Sequence, residues 1–167
     1  MHESPLAKES KVKIHRVYID MDGVLADMDS WLEAQPGLTD GNMWEYVKKV
    51  DHFYLHLKPM PEAFILMEYL QGLDIPLAIL TALPRRSTIP DAEEDKHKWI
   101  QKYFGDMEFH VGPYAKDKQK RSKPGHILID DSLLNVPQWN SKGGKAFLYK
   151  GFMPFFNQME RYRSQND

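Results

Sequence analysis

Five short apolar runs, spaced by helical patterns, constrain this chain most. "RVYI" (16–19), "PLAIL" (76–80), "EFHV" (108–111), "HILI" (126–129) and "KAFLY" (145–149) are bounded by turn residues and read as strands. Between them, "PEAFILMEYLQGL" (61–73) places Phe64, Leu66, Met67 and Leu70 near one helical face. "PDAEEDKHKWIQKYFG" (90–105) opens with Pro90 and acids, carries Lys96, Lys98 and Lys102 later, and stops at Gly105. That is the order the helix dipole and helix-end preferences favour. Strand and helix in alternation predict an α/β fold with a parallel sheet and helices on both faces. Such sheets bind ligands at the carboxyl ends of their strands.

Residues 28–58 break the alternation. They are aromatic-rich and helical in flavour, interrupted by Pro36-Gly37 and Gly41, and are expected to form a small helical cap inserted after the first strand. The division that follows is a core of 11–27 and 59–160, a cap of 28–58, and frayed tails at 1–10 and 163–167.

Composition narrows the chemistry. A chain of 167 residues is most simply one domain, able to bury about two-thirds of its unfolded surface. Its 22 Lys and Arg against 24 Asp and Glu give a net charge of -2, so no global field recruits nucleic acid or an anionic membrane. The absence of cysteine excludes disulfides, thiolate metal sites and thiol nucleophiles. The opening "MHESPLAKESKVKIH" has no apolar signal core, and no later run approaches the ~18 apolar residues of a membrane span. A soluble, cytoplasmic protein is expected.

The chemistry concentrates where the first run ends, in "VYIDMDGVLAD" (17–27). Residues two apart on an extended chain face the same way, so Asp20 and Asp22 can both point into one crevice, with Gly23 permitting a sharp exit. The second run ends in Thr81 and the fourth in Asp130 and Asp131. Three strands would thus deliver polar groups to one rim. Two carboxylates about 4 Å apart repel by about 4 kcal/mol at an effective dielectric near 20. A hard divalent cation such as magnesium relieves that repulsion.

"DMDGVLAD", the threonine of "LTALP", a lysine in "AKDKQKR" and "ILIDD", in that order, resemble the four motifs of the haloacid dehalogenase-like (HAD) phosphatases. "VYIDMDGVLADMD", "FYLHLKPMPEA" and "HKWIQKYFG" further resemble the 5'(3')-deoxyribonucleotidases, phage and bacterial forms included. The likeness spans roughly residues 16–150 and implies a Rossmann-like parallel sheet as the HAD-like core. It implies a magnesium-dependent phosphomonoesterase acting on nucleoside monophosphates in a bacterial or phage-infected cell. Asp20 would be the nucleophile that forms an aspartyl-phosphate, with Asp22 as general acid and base. Thr81 and a lysine would bind the phosphoryl group. Lys118 is the lysine favoured, with Lys116 and Lys120 left open. The metal would be held by Asp20, the Asp22 carbonyl and Asp131, with Asp130 behind. Three positions depart from the family pattern: Met28 stands where phenylalanine is common, Ala82 where serine is, and Ser132 where a basic residue is. Met28, Trp44, Tyr54, Ala82 and Arg85 are the expected substrate contacts; for Arg85 and Arg86, surface charge and a grip on the substrate phosphate are equal readings.

Other readings remain beside this one. Asp27 is expected to cap the first cap helix rather than touch metal. His52 and His56 have zinc-compatible spacing but no accompanying acid, and are expected on the cap surface. The partner expected is a small phosphomonoester, with a homodimer left open. The alternatives are a phosphosugar phosphatase, a phosphatase of polynucleotide 3'-ends assisted by the basic loop, and a non-catalytic binding module.

Overall fold

A computed structural model describes residues 11–85 and 88–167. The N-terminal ten residues and Arg86, both subjects of expectations above, lie outside the described residues. Five strands, β1 (Arg16–Ile19), β4 (Leu77–Thr81), β5 (Glu108–Val111), β6 (His126–Asp130) and β7 (Lys145–Leu148), form one sheet in the order β5-β4-β1-β6-β7. Every neighbouring pair is parallel. The chain moves outward from β1 through β4 to β5, then returns to the other side of β1 at β6. The crevice opened by that reversal lies at the carboxyl ends of β1, β4 and β6, where ligands of such sheets bind.

Alternation along the strands separates two apolar layers. Val17, Ile19, Ile79, Ile127 and Ile129 face a cluster completed by Leu66 and Leu70 of α3 (Ala63–Gly72), Trp99 and Ile100 of α4 (Ala92–Phe104), and Phe155 of α6 (Phe152–Asn166). Tyr18, Leu80 and Leu128 face the other way onto Trp139 of α5 (Asn135–Ser141). Each such aliphatic or aromatic side chain, fully buried, contributes about 1.5–3 kcal/mol. The expected α/β sheet with helices on both faces is the fold the chain adopts.

The insertion is bounded by a two-stranded antiparallel ribbon, β2 (Ala26–Asp27) with β3 (Lys58–Pro59), so its far boundary falls inside a strand pair. Between them lie α1 (Met28–Glu33), α2 (Met43–Val47) and a 3₁₀ turn, Phe53–His56. Asp27 caps α1, its Oδ1 accepting from the Ser30 amide at 3.0 Å. Val47, Phe53, Tyr54 and Leu57 are buried in the same cluster as the sheet's inner face, and the Trp99 indole donates to the Leu57 carbonyl at 2.8 Å. The insertion therefore shares the core and has none of its own.

The tail expected at 163–167 is instead the last turn of α6, which continues to Asn166. Its end is tied down: the Val12 amide donates to Asn166 Oδ1 at 3.0 Å, and Tyr162 packs against the core one turn earlier. Among the described residues, no helix is long and apolar enough to cross a membrane.

Candidate active site

Asp20 follows the last residue of β1, its amide donating to the Ile129 carbonyl of β6 at 2.9 Å, so the sheet's own hydrogen bonding fixes its backbone. Its Oδ1 accepts from the Met21 amide at 2.9 Å and from Lys118 Nζ at 2.7 Å. The same ammonium donates to Asp130 Oδ2 at 2.8 Å. Lys118 is 2% exposed and Asp130 fully buried, so the three charges are enclosed.

Lys118 reaches them from a 3₁₀ turn, Ala115–Arg121. In such a turn neighbouring residues point about 120° apart, which carries Lys118 inward and leaves the two rival lysines outside. Lys120 is exposed and paired with Asp117 at 2.8 Å, and Lys116 is exposed beside it. Of the three lysines left open by the sequence, Lys118 is the one that stands against Asp20.

Asp130 has every oxygen engaged: Oδ1 accepts from the Ser132 amide at 2.9 Å, and Oδ2 from Asn135 at 3.0 Å as well as from Lys118. Asp131 is exposed and leans over the start of the first loop. A β-carbon on Gly23, whose φ is +81°, would collide with its carboxylate. Carboxylate oxygens of Asp20, Asp130 and Asp131 lie within 4.8 Å of one another.

Asp22 is held by a residue that the sequence reading passed over. Lys96 of α4 is 1% exposed, and its ammonium donates to Asp22 Oδ2 at 2.7 Å, to the Ala82 carbonyl at 2.7 Å and to Thr81 Oγ1 at 3.0 Å. The ring of Tyr54 covers it at 4.5 Å. A signal was present. The buried residues of α4 are Ala92, Asp95, Lys96, Trp99 and Ile100, one helical stripe with a charged pair in its middle. A charge on a buried stripe needs partners.

Burial pushes the Asp20 carboxyl well above the usual range, with Asp130 and Asp22 adding to the push and Lys118 opposing it. Burial likewise raises Asp131, helped by Asp130. Burial alone would lower Lys118, but the carboxylates of Asp20 and Asp130 outweigh it and hold the ammonium above its usual range. The crevice thus carries more negative charge than its lysines neutralise. Closely set carboxylate oxygens with unrelieved repulsion are the donor set of a hard divalent cation, so the residues present fit magnesium. Asp20 and Asp131 would hold it directly, and the fully engaged Asp130 would orient them from behind.

The cleft above Asp20 holds about 310 Å³ and is lined by Asp22, Met28, Ala82, Ala115, Ser132 and Asn135 among others. A second hollow of about 320 Å³, lined by Met60, Tyr149 and Lys150, shares Gly23, Met28, Asp29 and Asp131 with it. Of the expected substrate contacts, Met28 and Ala82 line the cleft. Tyr54 is 2% exposed and faces Lys96, Trp44 stands out on α2, and Arg85 is exposed on the loop after β4. Thr81 is fully buried beneath the cleft floor, its hydroxyl occupied by Lys96. His52 and His56 do not share a site: His52 contacts Asp95 and His56 the Asp51 carbonyl.

A parallel sheet whose first and fourth core strands end in clustered acids, with a buried lysine between, has the haloacid dehalogenase-like fold. The L-2-haloacid dehalogenase of Xanthobacter autotrophicus superposes with a TM-score of 0.55 at 13% identity, over 80% of this chain and 76% of that one. A HAD family enzyme of Bacteroides thetaiotaomicron gives 0.53 at 12% identity, over 88% and 98%. No protein-family model matches the chain. A Vibrio phage KVP40 protein named "Putative 5'(3')-deoxyribonucleotidase" is 31% identical over 139 residues, 78% of this chain and 74% of that protein. The chain belongs to the family of that phage protein and shares the haloacid dehalogenase-like fold.

Proposed function

We propose that this enzyme is a magnesium-dependent phosphomonoesterase of nucleoside monophosphates, deoxyribonucleotides foremost, that works through an aspartyl-phosphate on Asp20. What carries the reading is the pairing of two unlike carboxylates. Asp20 has Oδ1 fixed by Lys118 and the Met21 amide, leaving Oδ2 to attack, while Asp22 is held through Oδ2 by Lys96.

In the first step Asp20 Oδ2 bonds to phosphorus, the bond from phosphorus to the sugar oxygen breaks, and Asp22 gives its proton to that oxygen. Asp22 then takes a proton from water, which attacks the phosphorus of the aspartyl-phosphate and releases inorganic phosphate and Asp20. A proton carrier so placed contributes about a hundred- to ten-thousand-fold. Lys118 spends two of its three N–H groups on Asp20 and Asp130, which leaves one for a phosphoryl oxygen. Magnesium, when bound, supplies positive charge against the phosphoryl oxygens and keeps the attacking carboxylate ionised.

The nucleotide assignment draws on the phage relative and on Met28 and Ala82 lining the cleft. The insertion from Met28 to Lys58 serves in this reading as a small cap over the leaving group. The test is phosphate release from deoxy- and ribonucleoside 5'- and 3'-monophosphates, sugar phosphates and phosphorylated oligonucleotides with magnesium present. Preference for the deoxyribonucleotides supports the reading, and faster release from sugar phosphates overturns it. A polynucleotide 3'-end is the second reading, favoured by a basic hollow lined by Lys116, Lys120 and Lys142 on the outer side of the turn that carries Lys118. Activity of that kind would fall steeply with salt.

A further inference from the structure

Two buried lysines enter this crevice, and counting their donors separates their duties. An ammonium has three N–H groups. Those of Lys96 are matched by three protein acceptors, Asp22 Oδ2, the Ala82 carbonyl and Thr81 Oγ1, with the Tyr54 ring on the open side. Nothing is left for a phosphoryl oxygen. A cation 1% exposed and fully bonded is fixed in place, and it fixes what it holds. Asp22 Oδ1 is buried and has no partner among the described residues, so the bond from Lys96 to Oδ2 is what holds this carboxylate.

We infer that Lys96 is a positioning residue for the proton-transfer carboxylate: it grips Asp22 by Oδ2 and so fixes the orientation of the acid, while Tyr54 ties that grip to the insertion. The inference rests on the reading of Asp22 proposed above and adds the residue that sets its orientation. The insertion reaches Lys96 by a short route. His52 bonds Asp95, the residue before Lys96, at 3.0 Å; Leu57 accepts from Trp99 one turn further on; and Tyr54 lies between them over the ammonium. A shift of this 3₁₀ turn would therefore move the lysine that orients the acid.

The experiment compares leaving groups in the first turnover, measured by rapid mixing of the magnesium-loaded enzyme with excess substrate. 4-Nitrophenol departs without a proton, whereas the alcohol of an alkyl monoester, a nucleoside monophosphate or sugar phosphate, needs one. Lys96→Met should slow alcohol release about a hundredfold and 4-nitrophenol release less than about fivefold, the share a proton donor supplies. In an Asp22→Asn background, Lys96→Met should cost less than about twofold further, because residues acting as one unit are non-additive. Equal slowing of both leaving groups would overturn the inference, by showing that Lys96 acts on the phosphoryl group. So would no selective loss, or full additivity with Asp22→Asn. Tyr54→Leu, which uncovers the ammonium and keeps the charge, should show the same selectivity at smaller size, and it decides the matter if Lys96→Met fails to fold. If the parent enzyme prefers sugar phosphates, the nucleotide reading fails, and the leaving-group comparison still judges Lys96.

Discussion

A β-carbon placed on Gly23 would collide with Oδ2 of Asp131. The loop after β1 and the acid after β6 thus approach as closely as backbone and carboxylate allow, and Gly23 at φ +81° also occupies a region that costs other residues about 1–2 kcal/mol. Gly23→Ala should push the Asp131 carboxylate off the crevice. The magnesium concentration for half-maximal activity should rise at least about tenfold, in line with disturbed ligand placement, while the melting temperature falls only by a few degrees. A magnesium titration of the two proteins checks this. Chelation should silence the parent reversibly.

Lys118→Met strands two buried carboxylates, Asp20 and Asp130. Breaking such an enclosed set costs about 3–5 kcal/mol, so denaturant unfolding should show a large loss together with nearly complete loss of turnover. Lys120→Met removes only the ion pair of an exposed lysine with Asp117, worth about 0–1 kcal/mol, and should leave mononucleotide turnover within about twofold. Parallel unfolding curves and rates for the two variants test the assignment of the active-site lysine.

His52 gives the insertion a pH-dependent hold on the core. Its hydrogen bond to Asp95, then that carboxylate's charge, raise the imidazole above its ordinary 6.5, with Asp91 adding and Lys98 opposing. Glu94 stands on the same helix. A group whose folded pKa is raised stabilises fully below its unfolded value and loses that contribution as pH rises through the folded value. The difference in melting temperature between the parent and His52→Gln should therefore be largest in mild acid and shrink above pH about 6.5 as the imidazole loses its proton. A constant difference across that range would contradict the assignment.

Much of this architecture is legible in the residues. "RVYI" and "EFHV" coincide with β1 and β5 because short apolar runs between turn residues have few other uses. Period-two alternation also places Asp20, Thr81 and Asp130–Asp131 at strand ends. Local pattern carries less about the rest. "AKDKQKR" has no apolar period, so only the 3₁₀ turn and its packing on α5 distinguish the inward Lys118 from Lys116 and Lys120. Tyr54 reads as a substrate contact in an aromatic-rich insertion, yet that segment has no core of its own and gives the ring to Lys96. The polar end of α6 hides a helix whose apolar side packs on the sheet through Phe155 and Met159.

The covalent role of Asp20 is most directly tested by trapping. Asp22→Asn should still be phosphorylated by an aryl phosphate but lack the base that clears the intermediate. Rapid acid quench with magnesium present, followed by peptide mass spectrometry, should find one added phosphoryl group on the peptide containing Asp20, and none in Asp20→Asn. Turnover by the parent enzyme without any phosphorylated Asp20 peptide, or an active Asp20→Asn variant, would contradict the mechanism.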